Sequence, residues 1–181
     1  MECGHVVDWE MVQHVYAYVQ FVRARSRNRI MSVEKRLDFS KEIGVPNSFG
    51  TADAVLWGGS PAPIIIDLKY GKGIKVDAHD NKQLMMYALG LLNFLPPYKK
   101  YTMMIHQPRL GHISKTSVTR QQLLAFGEHA KTVAGNIIAG KTKYNPSRAT
   151  CRFCKAKKDC LAYKKWSSEP AVDDFDVISA G

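Results

Sequence analysis

No apolar run in this chain reaches the roughly 18 residues that a membrane-crossing helix needs. The longest, around Leu84 to Leu95, is broken by Asn93, so no membrane partner is expected. Nor does a basic stretch followed by an apolar one open the sequence between Met1 and Trp9. That argues against an export signal and for a soluble, cytoplasmic protein. There is no internal repeat and no Gly-x4-Gly-Lys-Ser/Thr loop, which sets aside P-loop nucleotide chemistry. Acid is scarce: 16 Asp and Glu stand against 26 Lys and Arg, a formal net charge of +10. Glu169, Asp173, Asp174 and Asp176 follow Trp166 in a segment without a base, so the rest of the chain is more basic still. This balance suits a polyanionic partner, most often nucleic acid, although a solubilising surface gives the same sum. Cysteine is confined to Cys3 and the cluster Cys151-x2-Cys154-x5-Cys160. Without an export signal, clustered thiols point to a metal rather than to disulfides.

What remains is a globular composition, 45% hydrophobic over 181 residues. At roughly 150 residues per domain it predicts one domain with a small appendage. Residues 8–27 read as a helix, because Val12, Val15, Tyr16, Val19 and Val22 recur at helical spacing and Asp8 can cap the start. Residues 31–39, 51–57 and 63–69 read as strands joined by turn-rich links. The run Ile64-Ile65-Ile66 is too apolar for a strand with one wet face, so the third strand is expected at the centre of the sheet. An apolar helix over 80–94 ends before Pro96-Pro97, and strands over 100–107 and 112–118 follow. Thr119-x-x-Gln122 fits a capping box and Gly140 a helix stop, with Leu123, Leu124, Phe126, Ala130, Val133 and Ile137 as the apolar stripe between them. The order α-β-β-β-α-β, then a helix and the cysteines, predicts a mixed-sheet α/β (α+β) fold rather than a doubly wound one. The expected divisions are a core over 1–144, a cysteine module over 145–166 and an acidic tail over 167–181.

Three acidic and basic positions carry the chemistry. Asp53 sits in a short strand after Gly50-Thr51, Asp67 closes the apolar strand, and Lys69 lies two residues on, hence on the same side. If the two strands are neighbours, the carboxylates can face each other. At ~4 Å two such charges repel by about 4 kcal/mol at an effective dielectric of roughly 20. A hard divalent cation, Mg2+ or Mn2+, removes that cost, and with a lysine alongside the set suits phosphodiester hydrolysis. Asp-x-Lys by itself equally describes a strand end with a solvated lysine. The buried run before it and the loop Tyr70-Gly71-Lys72-Gly73-Ile74-Lys75 after it favour function, since glycines let Lys72 and Lys75 approach a phosphate backbone. Gln83 and Tyr87, four apart on the next helix, share a face; alone they read as helix-surface or rim residues.

Together, Gly50-Thr51-Ala52-Asp53, Ile64-Ile65-Ile66-Asp67-Leu68-Lys69 and Gln83-x3-Tyr87 resemble the RecB-like branch of the PD-(D/E)XK nucleases. The strings DLKYGKG and NKQLMMYALG resemble a phage and prophage family of that branch, and the likeness runs from about Glu10 to Tyr163. It implies a restriction-endonuclease-like core and a metal-dependent DNA nuclease. The implied activity is an exonuclease acting on linear or single-stranded DNA ends in phage recombination, replication or end processing, inside a bacterial host cell. Asp53 and Asp67 would be the metal ligands, Lys69 the catalytic lysine, and Gln83 and Tyr87 the supporting motif. Asp67 stands where many relatives have Glu. Glu34 matches a frequent acidic position near the metal. Relatives usually carry an acid or histidine on a helix before the first strand; Glu10 and His14 are the candidates here, and neither fits the usual local pattern well. Two alternatives stay open. One is a nucleic-acid-binding module that keeps the fold without a complete metal site. The other is a nuclease subunit of a larger assembly, with a phage recombination or single-strand-binding protein as partner.

The cysteines resemble those of the iron–sulfur nucleases of the same superfamily, which implies a 4Fe-4S cluster on Cys3, Cys151, Cys154 and Cys160. Zinc competes, because four thiolates also bind it. Around the cluster Arg152 and Lys155 could neutralise phosphates, while Phe153, Tyr163 and Trp166 could stack on unpaired bases or simply pack. Arg109, at a strand end, is a further candidate phosphate contact.

Overall fold

The computed structural model describes residues 7–59 and 62–168. Cys3, the turn at Ser60-Pro61 and the acids of the C-terminal segment lie outside the described residues. The chain divides into two compact units, Met1–Asn136 and Ile137–Gly181.

In the first unit α1 (Trp9–Arg25) leads into β1 (Ile30–Asp38), a short α2 (Ser40–Ile43), β2 (Phe49–Trp57), β3 (Ile64–Leu68), α3 (Lys82–Phe94), β4 (Lys100–Gln107), β5 (His112–Thr119) and α4 (Arg120–Ile138). The strands form one sheet in the order β1-β2-β3-β4-β5. β1–β2, β2–β3 and β4–β5 are antiparallel and β3–β4 is parallel. A parallel pair cannot be closed by a tight turn, and α3 makes the crossover. The mixed α/β architecture expected from the element order is the one observed. The single turn of α2 is an addition, too short to leave a periodic signature.

β3 is central because its two faces are both buried. Ile65 belongs to a core with Met103 and Ile105 of β4, Leu84, Ala88 and Leu91 of α3, and Leu123 of α4. Ile66 belongs to a second core with Ala54, Leu56, Met104 and Val22 of α1. Helices therefore cover both sheet faces, and each large apolar side chain so buried contributes about 1.5–3 kcal/mol. α3 lies close against β1 because position 90 is glycine: a Cβ there would sit 2.8 Å from the Leu37 Cβ.

The caps expected from the sequence are present. Asp8 Oδ1 accepts the Met11 N–H at 2.7 Å. Thr119 and Gln122 bond reciprocally, Thr119 N–H to Gln122 Oε1 at 2.9 Å and Gln122 N–H to Thr119 Oγ1 at 3.1 Å. The packed face of α1 differs in part from the apolar stripe. Val12, Val15 and Tyr16 are exposed, while Val22 of the stripe is buried as expected and Tyr18 and Phe21 pack beside it on the sheet. The aromatic pair decides the rotation, since Phe21 stacks on His106 of β4 with ring centroids 4.4 Å apart. Of the expected stripe on α4 only Leu123 is fully buried, with Phe126 and Ala130 packed on the core; Leu124, Val133 and Ile137 are exposed.

The second unit contains α5 (Arg148–Cys151), capped by Ser147 through the Thr150 N–H at 3.0 Å, and α6 (Leu161–Ser168). Among the described residues no helix is long and apolar enough to cross a membrane.

Candidate active site

The last antiparallel rung of β2 and β3 pairs Ala54 with Ile66. One step further Asp53 stands opposite Asp67, and there the ladder opens. Asp53 Oδ2 accepts the Leu68 N–H at 2.6 Å, while β3 stays paired to β4 at Asp67–Ile105. The strand pair thus ends in two carboxylates at opposing positions. Asp67 is 3% exposed. Its Oδ2 forms a 2.9 Å ion pair with Lys69 Nζ and meets no other polar group. Burial pushes the Asp67 carboxyl above the ordinary carboxylate value; Lys69 pulls it back, and the charge of Asp53 adds to the rise.

From Lys69 a chain of hydrogen bonds runs into α3. Lys69 Nζ donates to Gln83 Oε1 at 2.7 Å, and Gln83 Nε2 donates to Tyr87 Oη at 2.7 Å. The Tyr87 ring rests against Gly50, where any Cβ would come within 2.5 Å of Tyr87 Cε1. The string Gly50-Thr51-Ala52-Asp53 therefore does two jobs on one strand: the glycine admits Tyr87 and the aspartate supplies the carboxylate. The structure brings Asp67, Lys69, Gln83 and Tyr87 into one connected set, with Asp53 beside it.

Glu34 lies opposite Asp53, between the rungs Val33–Ala54 and Lys35–Ala52. Its φ of 48° is left-handed, a conformation that costs a non-glycine residue of order 1 kcal/mol. The kink turns the strand over. Val33 lines a cavity with Tyr18 of α1 and Ala54, yet Lys35 holds its ammonium 3.8 Å from the centre of the Phe94 ring on α3. In a regular strand these two residues would share a face. Among the described residues no three His, Cys, Asp or Glu side chains gather closely enough to hold a metal. Asp53 and Asp67 supply two oxygen-bearing groups, and the buried Asp67 oxygen, met by the Lys69 ammonium alone, is of the type that suits a hard cation.

α1 adds side chains that sequence reasoning passed over. The Tyr18 hydroxyl is buried without a hydrogen-bond partner. Burial first, then the charges of Asp53, Asp67 and Glu34, hold its proton far above the ordinary tyrosine value. Only its place four residues after His14 marked it in the sequence. His106, stacked on Phe21, has its pKa pushed down by burial and then by Arg25. Glu10 is engaged elsewhere: its Oε1 lies 2.9 Å from Lys72 Nζ, 3.2 Å from Arg109 Nη2 and 4.0 Å from His14 Nδ1. Lys72 and Lys75 sit on the exposed loop after β3. That loop is braced by Gln107, 2% exposed, whose Oε1 accepts the Val76 N–H at 2.6 Å and whose Nε2 donates to the Ile74 carbonyl at 3.0 Å.

A family described as a protein of unknown function (DUF2800) matches residues 1–179. The chain belongs to that family. Among solved structures, the crystal structure of SSO0001 is similar over 84% of this chain and 68% of its own, at 17% identity and a TM-score of 0.44.

In the second unit of this DUF2800 chain, Cys151, Cys154 and Cys160 are free thiols. The Tyr163 N–H reaches Cys160 Sγ at 3.4 Å, and Thr150 Oγ1 lies 3.8 Å from Cys151 Sγ. Arg152 and Lys155 are exposed, and the Arg152 guanidinium lies 5.2 Å from the centre of the Phe153 ring.

Proposed function

We propose that this DUF2800 protein is a metal-dependent DNA nuclease of the RecB-like PD-(D/E)XK type, an exonuclease of phage recombination, replication or end processing. The observation that carries the reading is the connected set Asp67–Lys69–Gln83–Tyr87 beside Asp53, with a buried Asp67 oxygen whose one partner is the Lys69 ammonium. Asp53 and Asp67 would hold Mg2+ or Mn2+. When bound, such a cation supplies Lewis acidity toward the scissile phosphate. The remaining work belongs to the chain. The Lys69 ammonium, fixed between Asp67 and Gln83, meets the negative charge that develops on the phosphate oxygens. Tyr87 orients the Gln83 amide so that its oxygen, and not its nitrogen, faces Lys69.

The reading extends to the second unit. A 4Fe-4S cluster, with zinc as the competing metal, would take Cys151, Cys154 and Cys160, with Cys3 as the proposed fourth thiolate. It is supported by three cysteines close in sequence that form no disulfide and by the amide donor on Cys160 Sγ, which suits an anionic sulfur. The proposed setting is a bacterial cytoplasm, with DNA and a phage recombination or single-strand-binding protein as partners. The second reading, a nucleic-acid-binding module without cleavage, draws on the fact that among the described residues no three potential ligand side chains gather closely enough to hold a metal.

Degradation of end-labelled linear and closed-circular DNA by anaerobically purified protein, in Mg2+, Mn2+ or chelator, separates these readings. We expect metal-dependent loss of linear DNA alone, slowed about 100-fold in a folded Lys69→Ala variant. Near-normal cutting by the variant would overturn the role of the lysine. No cleavage from folded, metal-supplied protein would leave the binding module.

A further inference from the structure

One oxygen of Glu10 is surrounded by nitrogen. Lys72 Nζ is 2.9 Å from Oε1, Arg109 Nη2 is 3.2 Å away and His14 Nδ1 is 4.0 Å away. The three come from three places: the loop after β3, the turn after β4, and α1 itself. Two cations converging on a single oxygen make an anion site, and here a side chain of the same protein fills it. The filling is loose, because Glu10 is 48% exposed. Hydrogen bonds from Lys72 and then Arg109 hold the Glu10 carboxyl below the ordinary carboxylate value.

Two observations distinguish this cluster from a casual surface pair. Arg109 is built in, and the loop that presents the 56%-exposed Lys72 is braced. Arg109 is 24% exposed, its guanidinium lies 4.8 Å from the centre of the Tyr70 ring, and its Nε is buried without a partner. Tyr70 is itself held edge-on by His14, with ring centroids 6.0 Å apart. The loop that carries Lys72 is tied down by the two Gln107 bonds to Ile74 and Val76. The cluster also continues the proposed active site along the same segments. Asp67, Lys69, Tyr70 and Lys72 follow one another out of β3, and Arg109 leaves β4 three residues after His106, the parallel partner of Leu68.

We infer that Lys72, Arg109 and Tyr70 form a subsite for a backbone phosphate of nucleic acid adjoining the scissile position, and that Glu10 occupies it in the free protein as an internal anion which the phosphate displaces. The inference rests on the nucleic-acid reading of Asp53, Asp67 and Lys69 given above. A phosphate offers the same charge as the carboxylate and two free oxygens for the arginine fork. Glu10 is then a brake on binding. Releasing two partly exposed ion pairs opposes binding modestly, so removing the carboxylate should tighten it by about fivefold.

The test is equilibrium binding of a fluorescent single-stranded oligonucleotide to the full chain, by anisotropy, in chelator so that no cleavage intervenes. Glu10→Gln and, as a second variant, Glu10→Ser should each bind about fivefold more tightly than wild type. Glu128→Gln, which removes an exposed acid from α4, controls for net charge and should change affinity by less than about twofold. In a Lys72→Ala/Arg109→Ala background the gain from Glu10→Gln should shrink to less than about twofold. Lys72→Ala alone should lower the slope of log affinity against log salt by about 0.7, one phosphate contact on a single strand. Binding by both Glu10 variants that is no tighter than Glu128→Gln, binding weaker than wild type, or a gain that persists without Lys72 and Arg109 would overturn the inference. So would a wild-type protein that binds no oligonucleotide. Binding that follows the expected pattern in a protein that never cleaves DNA in Mg2+ or Mn2+ would instead remove the nuclease reading and leave the subsite standing.

Discussion

Asp67 is a charge placed where a charge is costly. Because burial raises its pKa, the folded chain binds its proton more tightly than the unfolded chain does. Stability is therefore greatest with the carboxyl protonated, and it falls as pH rises from the ordinary carboxylate value through the raised one. Asparagine keeps the shape and removes the charge. We expect Asp67→Asn to raise the melting temperature of chelated protein at neutral pH by a few degrees, at about 3 °C per kcal/mol for a chain of this size. The same variant should lose the rise in Tm that Mg2+ gives wild type, because binding to the folded state alone is what stabilises it. Thermal denaturation with Mg2+ or chelator checks both. A lower Tm together with an intact Mg2+ response would count against the burial argument and the metal site alike. Asp67 and Lys69 were legible in the sequence because the apolar run before them announces a buried strand with charges at its end. Tyr18 was not, since its environment is made by burial against the sheet and then by carboxylates from three different strands.

At the scale of elements, the joint between β2 and α3 decides whether the set can assemble. Gly50 leaves the room that Tyr87 fills. A methyl group at position 50 forces the ring away and with it the Gln83 bond, at about 1–3 kcal/mol. Gly50→Ala should lower the urea midpoint accordingly. Gly50→Ala/Tyr87→Leu should be less destabilised than the sum of its single changes, because the branched side chain relieves the clash. Strict additivity in that cycle would mean that the ring and position 50 do not touch. The orientation of α1 belongs to this scale as well. Helical spacing of Val12, Val15, Tyr16, Val19 and Val22 identified the helix correctly, but of these Val22 alone is fully buried, and Tyr18 and Phe21 join it against the sheet. A periodic stripe specifies that a helix forms; which stripe is buried depends on what the sheet offers, here His106 and the Ile66 face.

At the scale of the molecule, the chain is basic, and the two proposed sets of metal ligands fall in different compact units, Asp53 and Asp67 in the first and Cys151, Cys154 and Cys160 in the second. For the second set we expect protein purified without oxygen to be brown and to contain iron, with colour and iron both lost in Cys154→Ser. Colourless protein with stoichiometric zinc would replace iron by the competing metal. Element order, the central place of β3, the capping box at Thr119 and the basic balance were determined by the sequence alone, because each rests on local spacing, local hydrogen bonding or a sum of charges. Only the tertiary structure decided the rest. It set Asp53 opposite Asp67 through strand register, turned β1 over at Glu34, laid Tyr87 on Gly50 and placed Glu10 between Lys72 and Arg109. Those arrangements join residues far apart in the chain, and their geometry depends on how strands pair and helices rotate, which no local pattern encodes.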